Sequence, residues 1–223
     1  MNFIELRPGT SVEGDKIEAF KTETKAKKYI YLMAGTHGDE VEGVYVVKQL
    51  FEWLKEQDDI ELNMVVIPIL NPDGLRIGSR VNANGVDLNR NHDSGTWSPT
   101  ATKSKYNPGT APLSEPENQY LVSLLKKFPP SIILSFHSWK PMLNYNGDCA
   151  KVANFLNTFN GYEVCDDIKD HPTPGSLGDL APKKFNSPVL TFECPVLSDD
   201  QGLKEIWAEN EEGLKALFNS ELL

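Results

Sequence analysis

Short continuous apolar runs alternate along the chain with stretches in which apolar residues recur at helical spacing. The run Tyr29-Ile30-Tyr31-Leu32-Met33-Ala34, within Lys28 to Ala34, has the length and composition of a buried strand. Leu62 to Leu70 repeats the pattern, although Pro68 cannot donate to a ladder and belongs at the strand's end or at an irregularity. Ser131 to Phe136 and Pro188 to Phe192 read as further strands, and Lys16 to Thr22 as an opening one. Val44, Val47, Phe51 and Leu54 share one helical face, which predicts a helix from just after Glu40 to near Gln57. Ser114-Glu115-Pro116-Glu117 reads as a capping box with Ser114 as N-cap, opening a helix that runs to about Lys127 and stops at Pro129-Pro130. Asp148 to Phe159 is helical in pattern, and Leu203, Ile206, Trp207, Leu214 and Leu217 mark a closing amphipathic helix. Asn71-Pro72-Asp73-Gly74 has the chemistry of a tight turn. The long polar connection from His92 to Ser114 is of the kind that forms functional rims.

Strands alternating with helices imply a largely parallel or mixed sheet covered by helices. With 223 residues, 39% of them hydrophobic, and no internal repeat or low-complexity linker, the chain reads as a single domain spanning 1–223. His37, the turn at Asn71, His137 and Glu193 each follow a strand-like run, and open α/β sheets gather ligand sites outside the carboxyl ends of their strands.

A net charge of -10 and a pI near 4.9 argue against nucleic acid or an anionic membrane as partner. They leave room for an acidic substrate, because a few arginines focused in a cleft can reverse the field locally. The cysteines, Cys149, Cys165 and Cys194, suggest neither a disulfide framework nor a thiolate metal site, which favours a reducing compartment. Residues 1 to 15 show no cationic start followed by an apolar core, and no apolar run approaches a membrane span. The expectation is a cytoplasmic protein.

The candidate chemistry begins at Gly35-Thr36-His37-Gly38-Asp39-Glu40. A histidine and a carboxylate this close at a strand's exit can put a nitrogen and an oxygen on one side of a cation, and catalytic zinc sites commonly pair two near ligands with one distant one. Among the other histidines, His92, His137 and His171, His137 is the best placed, since it too ends a strand. Taken alone, His37-x-x-Glu40 also fits a polar turn, and His137 a buried hydrogen-bonded imidazole. Arg80 and Arg90 flank a Gly-containing segment that could clamp a carboxylate or an oxyanion, or be a solvated loop. Glu193, at the end of an apolar run, needs a task or a partner, because a buried anion is costly. A base beside an activated water and a salt bridge to lysine both answer that need.

Taken together, Gly35 to Glu40, Asn71 to Gly74, Arg80 to Asn91, Ser114 to Glu117, Ser135-Phe136-His137, Thr173 to Ser176 and Glu193 resemble the zinc metallocarboxypeptidase family. The resemblance is strongest to its small bacterial branch of murein peptide amidases, and it covers the chain from near residue 30 to near 195. It implies an α/β fold, a mixed twisted sheet with helices on both faces. It also implies one Zn2+ bound by His37, Glu40 and His137, with Asp87 behind the first histidine. Glu193 would be the general acid/base, Arg80 the group that polarises the scissile carbonyl, and Asn89 with Arg90 the receiver of the substrate's terminal carboxylate. The implied substrate is a small peptide with a free carboxylate, such as a murein tripeptide cut between γ-D-glutamyl and diaminopimelate. Neighbouring readings are a carboxypeptidase on L-peptides, an N-acyl amino acid deacylase, and a binding module without turnover. Many members carry a tyrosine after an Asp-Trp pair in the loop before the glutamate strand. Here that region is Asp179-Leu180-Ala181-Pro182, without a phenol, which implies a smaller pocket with no tyrosine lid. Trp139 implies altered selectivity, and His171 lies on a loop that shapes specificity. His92 reads as a packed or surface imidazole and Cys194 as packing.

Overall fold

The computed structural model describes residues 1–166, 168 and 171–223. The apolar runs become the centre of an eight-stranded sheet. In it β6 (Met64–Ile67), β5 (Tyr29–Met33), β7 (Pro130–Trp139) and β10 (Val189–Pro195) lie side by side and parallel. These strands are covered on both faces, so they read as continuous apolar stretches rather than as alternations. The flanks are shorter and make the sheet mixed. On one side β4 (Phe20–Thr22) runs antiparallel to β6, and β1 (Phe3–Glu5) antiparallel to β4. On the other, β8 (Met142–Asn146) runs antiparallel to β10, and β9 (Glu163–Cys165) parallel to β8. A separate ribbon pairs β2 (Gly9–Thr10) with β3 (Lys16–Ile17).

Successive residues of a strand face opposite sides, and β5 divides its side chains accordingly. Ile30 and Leu32 enter one core with α1 (Val41–Lys55), α4 (Ala150–Asn160) and α6 (Leu203–Phe218). Tyr29, Tyr31 and Met33 enter the other, against α3 (Pro116–Lys127) and α5 (Leu177–Phe185). Helices therefore cover both faces. The exit ends of β5, β7 and β10 form one crest between the two helical layers.

Several expectations need correction. Asn71-Pro72-Asp73-Gly74 opens a helix, α2 (Pro72–Ile77), with Asn71 Oδ1 accepting the Gly74 N–H at 2.9 Å. An Asn before Pro serves a cap and a turn equally well. Ser114 is not the cap of α3: Glu115 holds that position, Ser114 Oγ donates to Glu115 Oε1 at 2.6 Å, and Pro116 fixes the start of the helix. Glu117 turns away to accept from the Val12 N–H and from Asn82. Lys16 to Thr22 breaks between Ile17 and Phe20 into strands of different sheets. The Asp179–Pro182 region lies in α5 rather than in a loop; Ser176 Oγ caps it by accepting the Asp179 N–H, and Pro182 sits inside it. His137 does not end its strand, because β7 continues to Trp139, and in that register Glu193 of β10 stands opposite His137.

Candidate active site

The crest receives its first polar groups from the loop between β5 and α1. That loop lies so close to α2 that a Cβ on Gly38 would overlap the carbonyl carbon of Gly74 and the nitrogen of Leu75. Only glycine fits there without moving backbone. The loop aims His37 Nδ1 at Glu40 Oε1, 2.7 Å away, while His137 Nδ1 from β7 lies 2.7 Å from Glu40 Oε2 and 3.2 Å from His37 Nδ1. All three side chains are buried, and they are the group among the described residues whose donor atoms converge closely enough to hold one metal ion.

The opposite edges of both imidazoles are occupied. His37 Nε2 lies 3.1 Å from Asp87 Oδ1, and His137 Nε2 lies 3.1 Å from Ser135 Oγ. Protons on the two Nε2 atoms leave lone pairs on the two Nδ1 atoms, which then face each other and a carboxylate. Such a set of acceptors is repulsive without a cation among them, and two imidazoles with one carboxylate is a donor set that suits zinc. Burial weakens the His37 imidazolium, yet Glu40 and Asp87 outweigh it and bring its pKa up to about 9. Burial likewise opposes the Glu40 carboxylate, but His37 and His137 hold it well below the usual carboxylate range.

Asp87 organises the second wall. It caps the short 3-10 turn Leu88–Arg90 by accepting the Asn89 N–H at 2.9 Å, and its Oδ2 receives Arg80 Nε at 3.1 Å. Arg80 also reaches Glu40 Oε1 at 3.2 Å, which ties the arginine to the donor cluster. Burial resists the Asp87 charge, but His37 and Arg80 keep the carboxyl strongly ionised. Asn89 Oδ1 accepts the Leu177 N–H at 2.9 Å, so its amide NH2 remains as the donor group beside Arg90. Glu193 comes from β10 into the same cleft; its Oε2 has no hydrogen-bond partner among the described residues, and burial, with Glu40 adding to it, raises its pKa to about 7.

The cleft has a volume of about 1140 Å³ and takes in His37, Glu40, His137, Arg80, Asn89, Arg90 and Glu193 together. Asp87, fully buried, stands behind them. The structure thus brings every residue of the expected constellation to one place. It adds others. The Tyr106 ring lies 5.4 Å from the Arg80 guanidinium and 5.3 Å from that of Arg90, within cation–π reach of both like charges. Lys103 and Lys105 line the cleft with it, which makes one wall cationic on a chain of net charge -10. Glu42 also went unnoticed in the sequence, and Ser135 was read only within the segment Ser135-Phe136-His137, with no role of its own. Nothing in the local pattern of Glu42 marks it; Lys103-Ser104-Lys105-Tyr106 lies within the long polar connection read as a rim. His171 meets Trp139 at a tilt, 5.4 Å between ring centroids, and Tyr106 edge to face, at 5.8 Å, on the rim. His92 is packed away, 1% exposed, and burial takes its pKa down to about 4. Cys194 is fully buried, and burial raises its thiol pKa.

The zinc carboxypeptidase family profile (peptidase M14) matches residues 4–186. Murein peptide amidase A of Escherichia coli strain K12 is 31% identical over 211 residues, which cover 86% of this chain and 82% of that protein. Among solved structures, the murein-tripeptide amidase MpaA from Escherichia coli O157 superposes with a TM-score of 0.77 at 26% identity, covering 98% of this chain and 91% of the other. The carboxypeptidase A from Helicoverpa armigera, at 18% identity, shares the fold with a TM-score of 0.77 over 99% of this chain and 69% of its own. The profile stops before Glu193, so the geometry of β10 is what brings that residue into the site. With the His37-x-x-Glu40 and distant His137 donors converging on one point, this chain belongs to the zinc carboxypeptidase family and is a zinc metallopeptidase.

Proposed function

We propose that the chain hydrolyses the amide between a γ-D-glutamyl group and diaminopimelate in a small murein peptide. The observation that carries this reading is the joining, in one cleft, of the His37, Glu40 and His137 donors with a Glu193 carboxyl poised near neutrality and a wall of cations. Likeness to murein peptide amidase A over most of both chains supports the substrate class.

His37 Nδ1, Glu40 and His137 Nδ1 would hold the zinc, one ion per chain. Bound there, zinc supplies Lewis acidity that lowers the pKa of a water from 15.7 toward about 7 and polarises a carbonyl. Glu193 takes the proton from the attacking water and returns it to the leaving amine, and a carboxyl with a pKa near neutrality suits both transfers. Arg80, between Glu40 and Asp87, donates to the oxygen that becomes negative as the carbonyl turns tetrahedral. Arg90 and the Asn89 amide receive the carboxylate of the leaving residue. Asp87 holds His37 in the tautomer that leaves Nδ1 free to bind.

Incubating zinc-loaded protein with murein tripeptide, its all-L analogue and an N-acyl amino acid, with products identified by mass, tests the reading. Release of diaminopimelate from the first alone is expected. Cleavage confined to the other two would assign the chain to general carboxypeptidase or deacylase chemistry.

A further inference from the structure

Glu42 is a buried acid of the cleft for which the proposed reaction has no task. It lies in the first turn of α1, is 4% exposed, and lines the cavity beside Ser138, Trp139, Val196 and Leu197. Its Oε1 accepts the Leu197 N–H at 2.8 Å, while its Oε2 has no hydrogen-bond partner among the described residues. Tethering Leu197 does not explain a charge, since a neutral amide would accept the same bond without the cost of burying an anion. A buried carboxylate with one free oxygen at the wall of a substrate cleft is matched by a cation from the substrate.

The fold says which part of a substrate that would be. Asn89 and Arg90 stand on the side of the crest covered by α5, where the Asn89 side chain holds the Leu177 N–H. Glu42 stands on the side covered by α1. The donors His37, Glu40 and His137 lie at the crest between them. A peptide whose scissile amide sits at that crest, with its terminal carboxylate toward Arg90, extends its acyl portion toward Glu42. Trp139, 49% exposed, lines the same cleft. The segment Val196–Leu197, whose side chains are 54% and 45% exposed, borders the approach to Glu42.

We infer that Glu42 receives the free α-ammonium of the substrate's acyl portion, so that the cleft selects short peptides with both termini free. This rests on the reading of the cleft as the site of amide hydrolysis. It makes the cleft bipolar, cationic where the leaving residue binds and anionic where the amino terminus arrives.

The test uses murein tripeptide and its all-L analogue, each with a free and an N-acetylated amino terminus. They are assayed with zinc-loaded wild type and with Glu42→Gln, which keeps an acceptor for the Leu197 N–H. For wild type, acetylation is expected to raise KM about tenfold, the size of one lost charge-assisted bond, with kcat little changed. For Glu42→Gln the free and acetylated forms should give the same KM. A calorimetric titration of the same peptides into zinc-loaded Glu193→Gln gives the preference as binding, without turnover and without touching Glu42. Equal binding and equal KM for free and acetylated forms in both peptide pairs would overturn the inference. A preference for the free amine that appears only with the all-L pair upholds it and removes the murein reading instead, whereas binding and cleavage of neither pair overturns both.

Discussion

Glu193 faces two opposed demands, since the same burial that suits it to proton transfer makes its charge costly to the fold. In metal-free protein its pKa of about 7 lies above the ordinary carboxylate value of 4.5, so the folded state holds a proton that the unfolded chain has released. Stability from this group is therefore lost as pH rises through that window. Glu193→Gln removes the dependence. Thermal melts in chelator should show the variant gaining on wild type between about pH 4.5 and 7, with a constant lead above that. The same variant, loaded with zinc, should keep its metal and lose roughly 100- to 10,000-fold in turnover, as expected for a lost general base. Near-normal turnover would reject the role. Asp87→Asn keeps the shape behind His37 but not the charge, and should weaken zinc binding by about 10- to 100-fold in a chelator competition. At this scale, what could be read from the sequence was chemistry that stands out by residue type: His37, Glu40, His137, two arginines, and a glutamate ending an apolar run. Tyr106 and Glu42 act through contacts between segments far apart in the chain, which their own stretches of sequence do not display, whereas Ser135 reaches His137 two residues on.

The elements matter for where they end. The continuous apolar runs were legible because strands buried on both faces leave little room for polar residues. The strand β8, with Asn144 and Asn146, and the short β1, β2 and β9 had no such signature, and Pro182 disguised α5. What α2 adds could be seen only in three dimensions: its Gly74-Leu75 backbone presses on the loop that carries two of the metal donors. Gly38→Ala tests that contact. The added methyl meets backbone on the far side, so the loop has to move, and a donor set whose atoms lie 2.7 Å apart tolerates little movement. Zinc affinity should fall by at least about tenfold while the metal-free melting temperature changes little, because the loop is displaced rather than the core opened. Wild-type affinity in the variant would show that the approach to α2 does not set the ligand geometry.

At the scale of the whole molecule, the crest concentrates charge that the fold holds in place against its own electrostatics. In metal-free protein the proton on His37 relieves the convergence of two imidazoles and a carboxylate, and its pKa stands at about 9 against an ordinary 6.5. A raised folded-state pKa gives stability that is complete below the unfolded value and disappears as pH rises through the folded one. The metal-free protein should therefore lose stability between about pH 6.5 and 9. Zinc needs the deprotonated imidazole, so it competes with that proton at low pH and replaces it at high pH. Binding to the folded state alone adds RT ln(1 + [L]/Kd) to stability, about 2.7 kcal/mol when zinc is at a hundred times its Kd. The rise in melting temperature on adding zinc to chelator-treated protein should thus grow steadily from pH 6.5 to 9. It should be absent at every pH in Glu40→Ala, where the carboxylate shared by both histidines is gone. A zinc-induced rise independent of pH, or one that survives in Glu40→Ala, would place the ion elsewhere than on the crest and leave the convergence of these side chains without its cause.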